Sequence, residues 1–109
     1  MSAIEGPYEL LELEDQRSLT LTPEKWLQGT MTIVPRFSGG QTAKLIQVLR
    51  LWVPASEKPT GMPYWDVTSQ TLIAQVVPLL PDIVARHGKI TIKAFGRAPA
   101  KRFTVEVLK

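Results

Sequence analysis

The chain contains no cysteine, which excludes disulfides, thiolate metal ligands and a thiol nucleophile. It contains no asparagine either, so it offers no N-glycosylation sequon. Histidine occurs once, at His87, and a single imidazole cannot form a histidine ligand set for a metal ion. No apolar run approaches the roughly 18 residues that a membrane-spanning helix needs. Residues 1–15 are acidic and lack the basic, apolar and small-residue order of a secretory leader. These absences lead to the expectation of a cytoplasmic protein without a membrane partner.

What is present is enough for one folded core. A length of 109 residues suits a single domain over 1–109, and 44% hydrophobic with 21% charged residues is near the globular average. The net charge of +3 hides a strong asymmetry. Residues 1–24 carry Glu5, Glu9, Glu12, Glu14, Asp15 and Glu24 against Arg17 alone. Residues 86–109 carry Arg86, Lys89, Lys93, Arg97, Lys101, Arg102 and Lys109 against Glu106. An acidic head and a basic tail either lie against each other or face partners of opposite charge, including a second copy in a small homo-oligomer.

Along the chain, residues 8–21 mix leucines with acids and read as an extended, edge-like segment. Thr22-Pro23-Glu24 has the order of a helix start and Gly29 of its end, which predicts a short helix over 23–28. Residues 30–37 alternate as a strand, with Pro35 marking an edge or a bulge and Ser38-Gly39-Gly40-Gln41 a turn. Residues 43–53 fit both a helical stripe and a strand. The preceding Gly-Gly turn and the β-branched, aromatic end favour a strand buried on both faces. Residues 54–66, with three prolines and a glycine, read as a long loop carrying Tyr64 and Trp65.

Leu72, Ile73, Val76, Leu80, Ile83 and Val84 recur with a helical period behind Asp66 and Thr68 as possible caps. Pro78 and Pro81 predict a kink within 68–87, and Gly88 supplies a left-handed end beside His87. Residues 89–95 and 102–108 alternate cleanly as a closing hairpin. Ile90, Ile92, Ala94, Phe103, Val105 and Val107 face inward, with Lys89, Thr91, Lys93, Phe95, Arg102, Thr104 and Glu106 outward. The predicted core comprises Met31, Ile33, Leu49, Val76, Leu80, Ile92, Phe103 and Val105.

Catalytic signatures are missing. There is no HExxH, no Gly-x-Ser-x-Gly elbow and no phosphate-cradling glycine loop, and His87 reads as a helix-end residue. Neither an enzyme nor a cofactor is expected. The binding chemistry is more concrete: Lys89, Lys93 and Arg102 project from one hairpin face, Arg97 and Lys101 ride its loop, and Phe95 supplies a ring. Cations that track phosphates, with a ring on which a base stacks, are what single-stranded nucleic-acid surfaces use. A solvated lysine-studded face is the competing reading. The alternative function is a protein–protein adaptor anchored by Tyr64 and Trp65 in the proline-rich loop, where rigid aromatics make hot spots.

The element order predicts an α+β domain with a small antiparallel sheet. It can be drawn as an OB-like five-stranded barrel with its principal helix between strands 3 and 4. A longer helix at 23–28 would make it ferredoxin-like instead.

Overall fold

The computed structural model describes residues 3–33, 44–97 and 101–108. Its strands are β1 (Ser18–Leu21), β2 (Lys25–Ile33), β3 (Lys44–Trp52), β4 (Tyr64–Val67), β5 (Lys89–Phe95) and β6 (Arg102–Leu108). One bent helix lies between β4 and β5, made of α1 (Gln70–Val76), a single 3-10 turn (Val77–Leu79) and α2 (Leu80–Ala85). The strands form two three-stranded antiparallel sheets, ordered β2-β3-β4 and β1-β5-β6. The α+β class therefore stands, while the sheets do not close into a barrel. No helix among the described residues is long and apolar enough to cross a membrane.

The expected strand is β3: Val48, Leu49, Arg50 and Leu51 are buried in succession on both of its faces, which a helix with one polar side would not allow, while Lys44, Leu45 and Gln47 at its start are exposed. Leu49, Leu51 and Val53 enter the main hydrophobic cluster with residues from both sheets and the helix. Val48 points the other way, into a smaller cluster with Ile4 and Met31. The closing hairpin keeps its expected boundaries and alternation. Ile90, Ile92 and Ala94 are fully buried, and Phe103, Val105 and Val107 pack on the core from the margin.

The bent helix follows the prolines. Each lacks a backbone donor, and Pro78 and Pro81 fall at the starts of the 3-10 turn and of α2, where that loss is tolerated. Ser69 caps α1, its hydroxyl accepting from Leu72 N at 3.3 Å, so neither Asp66 nor Thr68 takes that position. At the other end His87, with φ of 54°, rather than Gly88 holds the left-handed position. Gly88 N–H donates to Ile83 O at 2.8 Å and His87 N–H to Val84 O at 3.3 Å, closing the helix in a Schellman arrangement.

Further expectations are corrected. Residues 25–28 belong to β2 and are extended, not helical. Thr22 does not cap a helix there: its N–H and its hydroxyl both donate to the Glu57 carboxylate. Nine paired positions between β2 and β3 then outweigh the local helix signals. The ferredoxin-like alternative loses the helix it required. The loop over 54–66 ends earlier than expected, because Tyr64, Trp65 and Asp66 pair with β3 as part of β4.

The segment over 8–21 is regular only in β1. Residues 3–11 instead form a strap across the sheet β2-β3-β4. It makes isolated parallel bridges at both sheet margins, Ala3 with Thr30 on β2 and Leu10 with Asp66 on β4. The core residue Met31 sits under this strap in the smaller cluster, away from the main one. Pro35, Phe37, the 38–41 turn, loop residues 98–100 and the Ile33 side chain lie outside the described residues.

Candidate nucleic-acid interface

Two-residue alternation places one side of the sheet β1-β5-β6 on the core and the other toward solvent. The register aligns Ser18, Lys93 and Thr104 in one row and Thr20, Thr91 and Glu106 in the next. Phe95 lies opposite Arg102, and Lys89 opposite Leu108. The Thr20 and Thr91 hydroxyls are 2.8 Å apart, so the rows are linked across strands. Lys93 stretches along its own strand, its ammonium 5.1 Å from the centre of the half-buried Phe95 ring. The structure thus brings Lys93, Phe95 and Arg102 together, with hydroxyls around them.

The other expected contacts are more dispersed. Lys89 stands at the far end of β5, 3.6 Å from the Glu57 carboxylate. Arg97 and Lys101 line a cleft of about 540 Å³ with Gly96, Glu14 and Asp15. Lys101 lies over the Phe103 ring at 5.7 Å, on the opposite side of β6 from Arg102. Asp15 accepts from Gly96 N at 2.8 Å, which fixes the acidic head against the start of the hairpin loop. Positive charge in the loop is therefore partly answered from within the molecule, while Lys93 and Arg102 face solvent beside the ring.

Tyr64 and Trp65 are engaged internally. Tyr64 is buried, donates its hydroxyl to Pro7 O and packs against Trp52 at 5.7 Å. Trp65 is half-buried on the main cluster beneath the Lys58 ammonium, 4.7 Å from its ring centre. Tyr64 is thus turned into the protein, while Trp65 keeps part of its surface exposed.

Sequence reasoning missed a buried polar cluster under the strap. Arg50 on β3 faces Asp66 on β4 and binds it at two points, Nε to Oδ1 at 2.7 Å and Nη2 to Oδ2 at 3.1 Å. The Asp66 hydrogen bond is the main cause that pushes the Arg50 guanidinium above its ordinary pKa. Glu9 N–H donates to Asp66 Oδ2 at 2.9 Å, and Arg50 Nη2 reaches Pro7 O at 3.3 Å. Among the described residues no buried side-chain donor or acceptor lacks a partner, so this cluster offers no vacant ligand position. No three His, Cys, Asp or Glu side chains among them are grouped so as to hold a metal ion.

No protein family, curated protein or solved structure matches this chain.

Proposed function

We propose that the chain is a non-enzymatic domain that binds single-stranded nucleic acid on the solvent face of the β1-β5-β6 sheet. The observation that carries this reading is the adjacency of Lys93, Phe95 and Arg102 on two paired strands. Two cations can meet successive phosphates while a base stacks at the ring between them, and Ser18, Thr20, Thr91 and Thr104 supply hydroxyls nearby. Lys89, Arg97 and Lys101 extend the positive field at the two ends of the hairpin. Lys93 already lies over Phe95, so a stacking base either displaces the ammonium or adds beside it.

We further read the architecture as an opened OB-like barrel. β1 and β2, separated only by residues 22–24, serve as one interrupted strand shared between the two sheets. The meander β2-β3-β4, the helix and the hairpin β5-β6 then follow in OB order. Glu9 to Leu11 bond to Asp66 along the outer side of β4, which accounts for the open form.

Fluorescence anisotropy with a short labelled oligonucleotide at several salt concentrations tests the binding. Each phosphate contact on a single strand contributes a slope of about −0.7 in log affinity against log salt. Replacing Lys93 and Arg102 together by Gln should flatten the slope by about twice that amount. Phe95→Ala should weaken binding by roughly 1–3 kcal/mol while leaving the slope nearly unchanged. Absence of binding at low salt ends the proposal.

A further inference from the structure

β6 closes its sheet on one side only. Ala94 N–H donates to Arg17 O and Ala94 O accepts from Gln16 N–H, so the main-chain groups of Ala94 point toward β1. Ala94 faces Phe103 across the hairpin, and that pair is therefore a non-hydrogen-bonded one. By alternation the main-chain groups of Phe103, Val105 and Val107 point away from β5, out of the open margin of β6. Gln75 on α1, which donates its side-chain amide to Phe103 O at 2.9 Å, is the one partner described there.

α1 packs against β6 and Gln75 reaches its margin, but the strand itself lacks most of the other devices that keep edge strands apart. It is seven residues long, contains no proline, and directs no charge inward. Its inward-facing Phe103, Val105 and Val107 are only partly buried. Its outward side chains run Arg102, Thr104, Glu106, a cation and an anion placed symmetrically about a hydroxyl. That pattern is complementary to its own reverse.

We propose that β6 pairs antiparallel with β6 of a second copy about a two-fold axis at Thr104, joining the two sheets into one of six strands. In this register Phe103 of each copy exchanges main-chain hydrogen bonds with Val105 of the other. The outward residues form the non-hydrogen-bonded positions, where side chains approach most closely. Arg102 then faces the partner's Glu106 twice, and Thr104 faces the partner's Thr104. The shift of one pair in either direction sets Arg102 opposite Leu108 or Thr104 and loses both charge matches. The Gln75 amide turns out to solvent when Phe103 O takes its new donor. Two-fold closure makes the product a dimer rather than a filament. Arg102 serves both this pairing and the proposed nucleic-acid face, so the dimer is measured in the absence of nucleic acid.

Sedimentation equilibrium of the full chain over two decades of loading concentration tests it. The expected result is a reversible monomer–dimer equilibrium, with amide protection at Phe103, Val105 and Val107 rising as concentration rises. R102E turns both attractive pairs repulsive and should weaken dimerisation by about tenfold or more, and E106R should do the same. The double variant R102E/E106R exchanges the two signs and should recover the wild-type dissociation constant. All substituted positions are exposed, and circular dichroism checks that each variant folds. A wild-type chain that stays monomeric at the highest concentration overturns the proposal. So does a dimer that ignores the single substitutions or is not recovered by the double one.

Discussion

Arg50 and Asp66 face each other at one position of a strand pair, and both are removed from water, Asp66 completely. Their two-point contact, the Glu9 N–H on the carboxylate and the Tyr64 ring 4.0 Å from the guanidinium offset much of the cost of burial. Removing one partner leaves the other charged and buried. Asp66→Ala is accordingly expected to destabilise the protein by about 3–5 kcal/mol in urea unfolding, and Arg50→Met by a similar amount. The double variant Arg50→Met, Asp66→Ala should lose clearly less than the sum, because no lone charge remains. Additive losses would mean that the two side chains act separately. This pair was illegible in the sequence. Arg50 reads as the polar face of a segment that also fits a helix, and Asp66 as a helix cap. Their partnership exists only once β3 and β4 are in register.

At the scale of elements, legibility followed whether the pattern was local. β5 and β6 alternate strictly and are joined by a short loop, so their bounds could be read directly. β2 follows directly on the helix-start residues Thr22, Pro23 and Glu24, of which Thr22 is bonded to Glu57 instead, and its extended form depends on β3. The strap over residues 3–11 has no period of its own, since its order comes from Thr30, Asp66 and the side chains beneath it.

One tie of the strap is electrostatic. Glu9 Oε1 accepts from Met62 N at 2.7 Å and lies 3.4 Å from Lys58 Nζ. Gly61, with φ of +73°, lets the backbone turn here, and any Cβ at that position would collide with the Glu9 carboxylate. The Met62 N–H, and then Lys58, hold the Glu9 carboxyl below its ordinary pKa. A carboxyl depressed by folding contributes stability above its unfolded titration range and loses it as pH falls through the folded value. The Met62 amide resonance should therefore move with pH at a midpoint below that of an ordinary glutamate, and Glu9→Gln should abolish the movement. A midpoint at the ordinary glutamate value would show that this tie does not form in solution.

For the whole molecule, the question is how two sheets with no shared strand pairing act as one body. The main cluster answers it: Leu21, Ile90 and Ile92 from one sheet and Leu49, Leu51 and Val67 from the other meet Leu72, Val76, Leu80 and Ile83 of the helix. Leu49, Val76, Leu80 and Ile92 could be picked from the sequence because they are central positions of strongly apolar segments. The division into two sheets could not, because it depends on which distant edges meet. Leu80 is fully buried where the 3-10 turn passes into α2, and it belongs to the cluster that joins the sheets. Leu80→Ala removes contacts at that junction and should cost about 2–5 kcal/mol. If the cluster makes the protein a single cooperative unit, native-state hydrogen exchange should report the same loss at the slowest amides of β3 and β5. A loss confined to either sheet would mean that the two open separately, and that the helix belongs energetically to only one of them.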